Sequence, residues 1–107
     1  MKKLILSLAL IMSLSAIAIS KYDVDVICEG IERNARLYAL YGAVGLKSVL
    51  GVINSDTAVP AGLKAILIDA YDKGSGIGPG LNASDKDDIA RVTRVRCLAY
   101  FGYSTVL

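Results

Sequence analysis

Residues 22–53 read YDVDVICEGIERNARLYALYGAVGLKSVLGVI, and the spacing of their apolar residues decides the fold. Cys28, Ile31, Ala35, Tyr38, Gly42, Gly45, Val49 and Val52 recur at alternating strides of three and four, which lines one face of a helix. Glu29, Glu32, Arg33 and Arg36 fall mainly on the opposite side, and Glu29 with Arg33 makes an i,i+4 pair of favourable order. Ala35, Ala39 and Ala43 form a small-residue ridge where another helix can approach closely. From Leu37 to Ile53 the only charge is Lys47, which predicts that this half sits centrally in the core.

Upstream, Met1-Lys2-Lys3 supplies a positive start, and Leu4 to Ile19 is an apolar run interrupted only by serines. At about 16 residues the run is shorter than the ~20 that span a bilayer as a helix. Ala18-Ile19-Ser20 offers small residues at −3 and −1 of a cut before Lys21, and Ala16-Ile17-Ala18 is a second acceptable cut. The expectation is a cleaved export signal over residues 1–20, a single helical domain over residues 21–107, and a periplasmic or secreted location. Without Lys2 and Lys3, ten basic residues face ten acids. Such a balance lacks the clustered basic surface that nucleic acid requires, and the polybasic stripe that anionic lipid attracts.

Cys28 and Cys97 both lie beyond the signal, and in an oxidising compartment the expected state is a disulfide between them. Its geometry constrains the helices. A straight helix over residues 23–53 would be ~46 Å long, leaving Cys28 far from a cysteine midway along the last helix. Disulfide Cα atoms must come within about 7 Å. Either the glycine segment at Gly74 to Gly80 carries the chain a long way back, or the first helix breaks. A break at Gly42 to Gly45 is the favoured reading, because glycine weakens a helix interior, and it gives four helices.

Further along, Thr57 is a competent N-cap with Pro60 in the first turn, and Val59, Leu63, Ile66 and Ala70 form a stripe that Gly74 would terminate. Gly74 to Gly80 reads as a breaker segment. Ser84 with Asp87 reads as a capping box opening a last helix from about Asp85 to Ser104. Its predicted inner face is Ile89, Val92, Ala99, Tyr100 and Tyr103, with Arg91 and Arg94 pointing away. The predicted fold class is all-α: a small three- to four-helix domain stapled by one disulfide.

The chain contains no histidine, which removes Ser–His and Cys–His nucleophile pairs and the commonest metal ligand. Oxidised cysteines offer no thiolate. The carboxylates occur beside basic residues or at helix starts, and Asp85 to Asp88 lack the calcium-loop spacing. No Gly-Lys-Ser/Thr follows the glycine segment, so it does not read as a phosphate loop. No catalytic residue, metal site or cofactor is expected, and the chain does not read as an enzyme.

Arg96 neighbours Cys97 as Glu29 neighbours Cys28, so closing the disulfide predicts a structural ion pair between Arg96 and Glu29, with Glu32 as the alternative acid. Tyr38/Tyr41 and Tyr100/Phe101/Tyr103 are aromatic clusters, and Tyr and Arg are typical anchors of protein interfaces. Tyr38, Tyr41, Tyr100 and Tyr103, rimmed by Arg33 and Arg36, are therefore the candidate partner-binding residues.

The leader, Tyr22-Asp23 and Cys28-Glu29 opening a helix, and a second cysteine near the end together resemble the small periplasmic exclusion proteins of T-even phages. That resemblance implies a helical one-disulfide inhibitor of an invading phage's lysozyme. Val59-Pro60-Ala61-Gly62 through Tyr71 is similar to the amidase-immunity proteins of type VI secretion, without their further cysteines. Acid-stress periplasmic chaperones share the size and the two-cysteine helical plan. The expected function is an exported binding module that inhibits or shields a protein partner in the envelope, a cell-wall hydrolase being one such target, with no stable membrane insertion after cleavage. The alternatives are a holin-like or accessory inner-membrane protein, in which Leu37 to Ile53 spans, and a periplasmic holdase.

Overall fold

The computed structural model describes residues 20–103. The expected export signal, apart from Ser20, lies outside the described residues, as do residues 104–107. Four α-helices follow one another: α1 (Lys21–Ala43), α2 (Ser48–Ser55), α3 (Ala61–Ile77) and α4 (Ala83–Tyr100), with a 3-10 turn over Gly78–Gly80 between the last two. No strand occurs among the described residues, and the fold is the expected all-α domain with one disulfide.

Helix α1 begins where Ser20 accepts a hydrogen bond from the Asp23 N–H at 3.1 Å, satisfying one of the free amides of the first turn. Its inner face buries Val24, Cys28, Ile31, Ala35, Ala39, Gly42 and Ala43. The hinge is where two glycines in close succession predicted it. Gly45 adopts φ +75°, a left-handed conformation that costs glycine nothing, and the Leu46 N–H returns to the Tyr41 carbonyl.

The break changes what the apolar half of this segment does. Only Val49 and Ile53 of α2 enter the core, while Leu37, Leu40, Val44, Leu46 and Val52 remain exposed. The expectation that Leu37 to Ile53 is central in the core is thereby corrected: once the chain turns at Gly45, one segment cannot present all its sides to the same interior. The same turn divides the segment that the membrane-protein alternative would insert. Among the described residues no helix is long and apolar enough to cross a membrane.

Helices α1 and α3 touch backbone to backbone. A Cβ at Gly42 would land on the Tyr71 carbonyl oxygen, and one at Gly74 on the Ala39 carbonyl oxygen. The Ala35–Ala39–Ala43 ridge thus meets a partner as small as itself. Gly74 is not the terminator of α3. It is buried inside the helix, which continues to Ile77 and ends at Gly78 with φ +76°. The helix also starts later than Thr57 implies: Asp56 takes the Ala58 N–H into a local turn, and Pro60 becomes the cap position.

Helix α4 starts from Asn82, not Ser84. Asn82 accepts from the Asp85 N–H at 2.8 Å while Asp85 accepts from the Asn82 N–H at 3.2 Å, a reciprocal capping box two residues upstream of the expected one. The helix ends at Tyr100, and Gly102 turns the chain with φ +89°. Its buried residues are Ile89, Ala90, Thr93, Cys97 and Leu98, so the inner face is rotated from the predicted one; Ala99 is exposed, and Tyr100 is half-exposed. The buried Thr93 hydroxyl donates to the Ile89 carbonyl at 2.8 Å, which satisfies a polar group that the apolar pattern overlooks.

The main core gathers Val24, Cys28, Ile31, Val49, Ile53 and Leu63 with their neighbours on α3 and α4. Cys28 and Cys97 sit fully buried within it, bonded to each other with Cα atoms 5.6 Å apart. The staple joins the beginning of α1 to the end of α4.

Candidate interaction surface

One flank of α1 faces the connection between α2 and α3, where packing is incomplete. A groove of about 190 Å³ is lined by Ile27, Ile31, Val59, Pro60, Leu63 and Phe101. A smaller hollow of about 80 Å³ continues it and is lined by Asn34, Tyr38, Val52, Asp56 and, again, Ile31 and Val59. Adjoining at Ile31 and Val59, the two form a trough that is apolar beside Phe101 and mixed in polarity beside Asn34, Tyr38 and Asp56. Pro60, extended at φ −59° and ψ 150° just before α3, is part of its lining.

Tyr38 is half-buried against the core, and its ring centroid lies 6.1 Å from that of Tyr41. Burial pushes the Tyr38 phenol above its ordinary value of 10.0, with the Asp56 carboxylate and Tyr41 adding in that order. It therefore stays a neutral hydrogen-bond donor at the mouth of the trough.

The two aromatic clusters named from the sequence are not one patch. Tyr38 and Tyr41 stand toward the hinge end of α1. Tyr100, Phe101 and Tyr103 gather at the other end, where Tyr100 and Phe101 meet edge to face at 5.0 Å. Tyr100 lies over α3 at Gly62, where a Cβ would strike its ring. The Lys21 ammonium sits 5.4 Å from the centre of the Tyr103 ring. Arg33 and Arg36 do not rim the tyrosines. Arg33 pairs with Glu29 one turn away at 3.5 Å, and Arg36 reaches across to Asp87 of α4 at 3.1 Å.

The expected Arg96–Glu29 pair does not form. Arg96 turns toward α3 and bonds Asp69, which also holds Lys73 at 3.3 Å. Beside the Arg36–Asp87 pair, α1 and α4 are joined by Glu32 with Arg94, at 3.2 Å. The reason is angular: a residue next to a buried cysteine lies about 100° round the helix from it. That rotation carries Arg96 to the α3 side, while Arg94 faces α1. Arg94 therefore does not point away from the fold as its sequence pattern implied.

Among the described residues no cysteine is free, and no three His, Cys, Asp or Glu side chains converge as metal ligands. The trough residues Ile27, Asn34, Asp56, Val59 and Pro60 were not singled out as candidates. Their one signal is an apolar Val59-Pro60 pair inside a connection otherwise built of turn residues. Comparison with protein-family models, curated proteins and solved structures yields no match.

Proposed function

We propose that this chain is an exported, disulfide-stapled helical module that binds a protein in the cell envelope and inhibits or shields it, with a cell-wall hydrolase as the target. The observation that carries the reading is the trough along α1. It is a concave apolar strip on a folded unit, with a neutral phenol and a carboxylate fixing polarity at one end, and such a surface fits an apolar segment of a partner with a donor group beside it. The buried disulfide supports an oxidising location, because a bond of this kind persists where thiol reductants are absent. The Ser20 cap supports the earlier of the two signal cuts. Cleavage after Ala18 keeps Ser20 on α1, whereas cleavage after Ser20 removes the cap and places a new ammonium at the positive end of the helix.

The oxidised chain added to lysozyme-type and amidase-type enzymes digesting peptidoglycan is expected to slow one of the two. Val59→Asp, which puts a charge into the trough at the edge of the core, should abolish that effect while helix content is retained. Undiminished digestion by both enzyme types would remove the hydrolase target. Protection of unrelated proteins against aggregation on acidification, with no effect on either enzyme, would place the chain with the holdases instead. Intact-mass measurement of the exported protein, with and without reductant, checks the cut after Ala18 and the disulfide in one spectrum.

A further inference from the structure

The outward side of α1 carries a second apolar surface, separate from the trough. Val26, Gly30, Arg33, Leu37, Leu40 and Val44 succeed one another at strides of four and three, the spacing of a coiled-coil seam. Val26 is 50 % exposed, Leu37 42 % and Leu40 40 %, although they belong to the helix that supplies the core with Val24, Cys28, Ile31 and Ala35, and Val44, which caps its end, is 65 % exposed. The first half of α1 carries Asp23, Asp25 and Glu29 against Lys21, and the second carries Arg33 and Arg36 against Glu32, with Lys47 just past the end, so the two halves differ in net sign.

Gly30 is the residue the monomer does not account for. A Cβ there would meet nothing within 4 Å, and its φ is not positive, so neither packing nor backbone geometry calls for glycine. Glycine weakens a helix interior relative to alanine. A second helix lying close against the seam gives that glycine a purpose, as Gly42 and Gly74 have theirs inside the fold.

We infer that this face joins two copies of the chain, with their α1 helices packed antiparallel about a two-fold axis. The antiparallel direction follows from the charges. It lays the acidic half of one helix over the basic half of the other, while a parallel pair would set like against like. A two-fold contact uses the same patch on both copies, so one self-complementary stripe is sufficient. From Val26 to Val44 the seam is roughly 27 Å long and about one helix wide, which places the contact among the small, reversible interfaces. The pairing goes beyond the proposed function, uses a different side of α1, and leaves the trough open on each copy.

Sedimentation of the oxidised full-length product, from micromolar to millimolar concentration, tests it. A reversible monomer–dimer equilibrium is expected. Leu37→Glu with Leu40→Glu should weaken it at least tenfold while helix content and urea midpoint stay unchanged, since both side chains meet solvent in the monomer. Asp23→Lys with Glu29→Lys, and separately Arg33→Glu with Lys47→Glu, should each weaken self-association, and an equimolar mixture of the two variants should restore a dimer. A chain that stays monomeric throughout, or a dimer indifferent to the Leu37 and Leu40 changes, overturns the inference. So does a monomer that binds phosphatidylglycerol vesicles through the same leucines, which would assign the face to a bilayer. No hydrolase enters these measurements, so their outcome is independent of the proposed target.

Discussion

At the residue scale the glycines separate into those that packing requires and those it does not. Gly42 and Gly74 stand where α1 and α3 cross with their backbones in contact, and any side chain there must push the helices apart. Gly42→Ala or Gly74→Ala is expected to cost ~3 kcal/mol, read from the urea midpoint, because overpacking a rigid contact forces backbone movement. Gly76 lies in the same helix with open space around it, so Gly76→Ala should lose nothing and gain up to ~1 kcal/mol from helix propensity. Equal losses at positions 74 and 76 would refute the crossing.

Tyr38 gives a residue-scale test in pH. Its phenol is held above its ordinary value, chiefly by burial, so the folded chain keeps a proton that the unfolded chain releases first. The contribution is complete below about pH 10 and is lost as pH rises through the folded value. Stability should fall as pH rises from about 10 to the folded value, and Tyr38→Phe should fall less steeply over that range. Parallel curves for the two proteins would mean that Tyr38 is not protected.

At the scale of elements, each helix was legible in existence and each boundary depended on a choice the sequence leaves open. The hinge in the first segment was readable because Gly42 and Gly45 fall close together and the disulfide forbids one long rod. The end of α3 is not readable from glycine alone, since Gly74 serves close approach and Gly78 the turn. Asn82 and Ser84 are both competent caps, and only the geometry of the preceding Gly78–Gly80 turn selects Asn82. Asn82→Ala should therefore cost about 1 kcal/mol and Ser84→Ala a few tenths at most, compared by thermal melting. The reverse order would return the helix start to Ser84. Of the candidate surface, Tyr38 was legible as a half-buried aromatic at helical spacing. The trough was not, because it arises between α1 and a connection whose path periodicity does not describe. Arg96 was misplaced for a related reason: adjacency to a cysteine says which end of a helix a side chain occupies, but not which neighbour it faces.

At the scale of the whole molecule the disulfide between Cys28 and Cys97 spans 69 residues and closes nearly the full described chain into a ring. Cross-linking a loop of that length removes about 4 kcal/mol of unfolded-state freedom in the chain-entropy model. That is a large share of the ~5–15 kcal/mol that holds a domain folded. The paired change Cys28→Ser with Cys97→Ser should lower the unfolding free energy by about that amount in urea titration, whereas a loss under ~1 kcal/mol would mean that packing alone suffices. The serines would also sit fully buried beside each other, which adds to the cost unless they hydrogen-bond.

The ring closed by Cys28 and Cys97 also governs what a protease can accomplish. Every connection between the described helices, from the Gly45 turn to the Gly78–Gly80 turn, lies inside it. A single cut at any of these sites opens the chain without releasing a piece, and the severed halves stay attached through sulfur with α1 still bonded to α4. On a denaturing gel such a nicked molecule keeps its full mass until a reductant is added, and only then separates into two fragments.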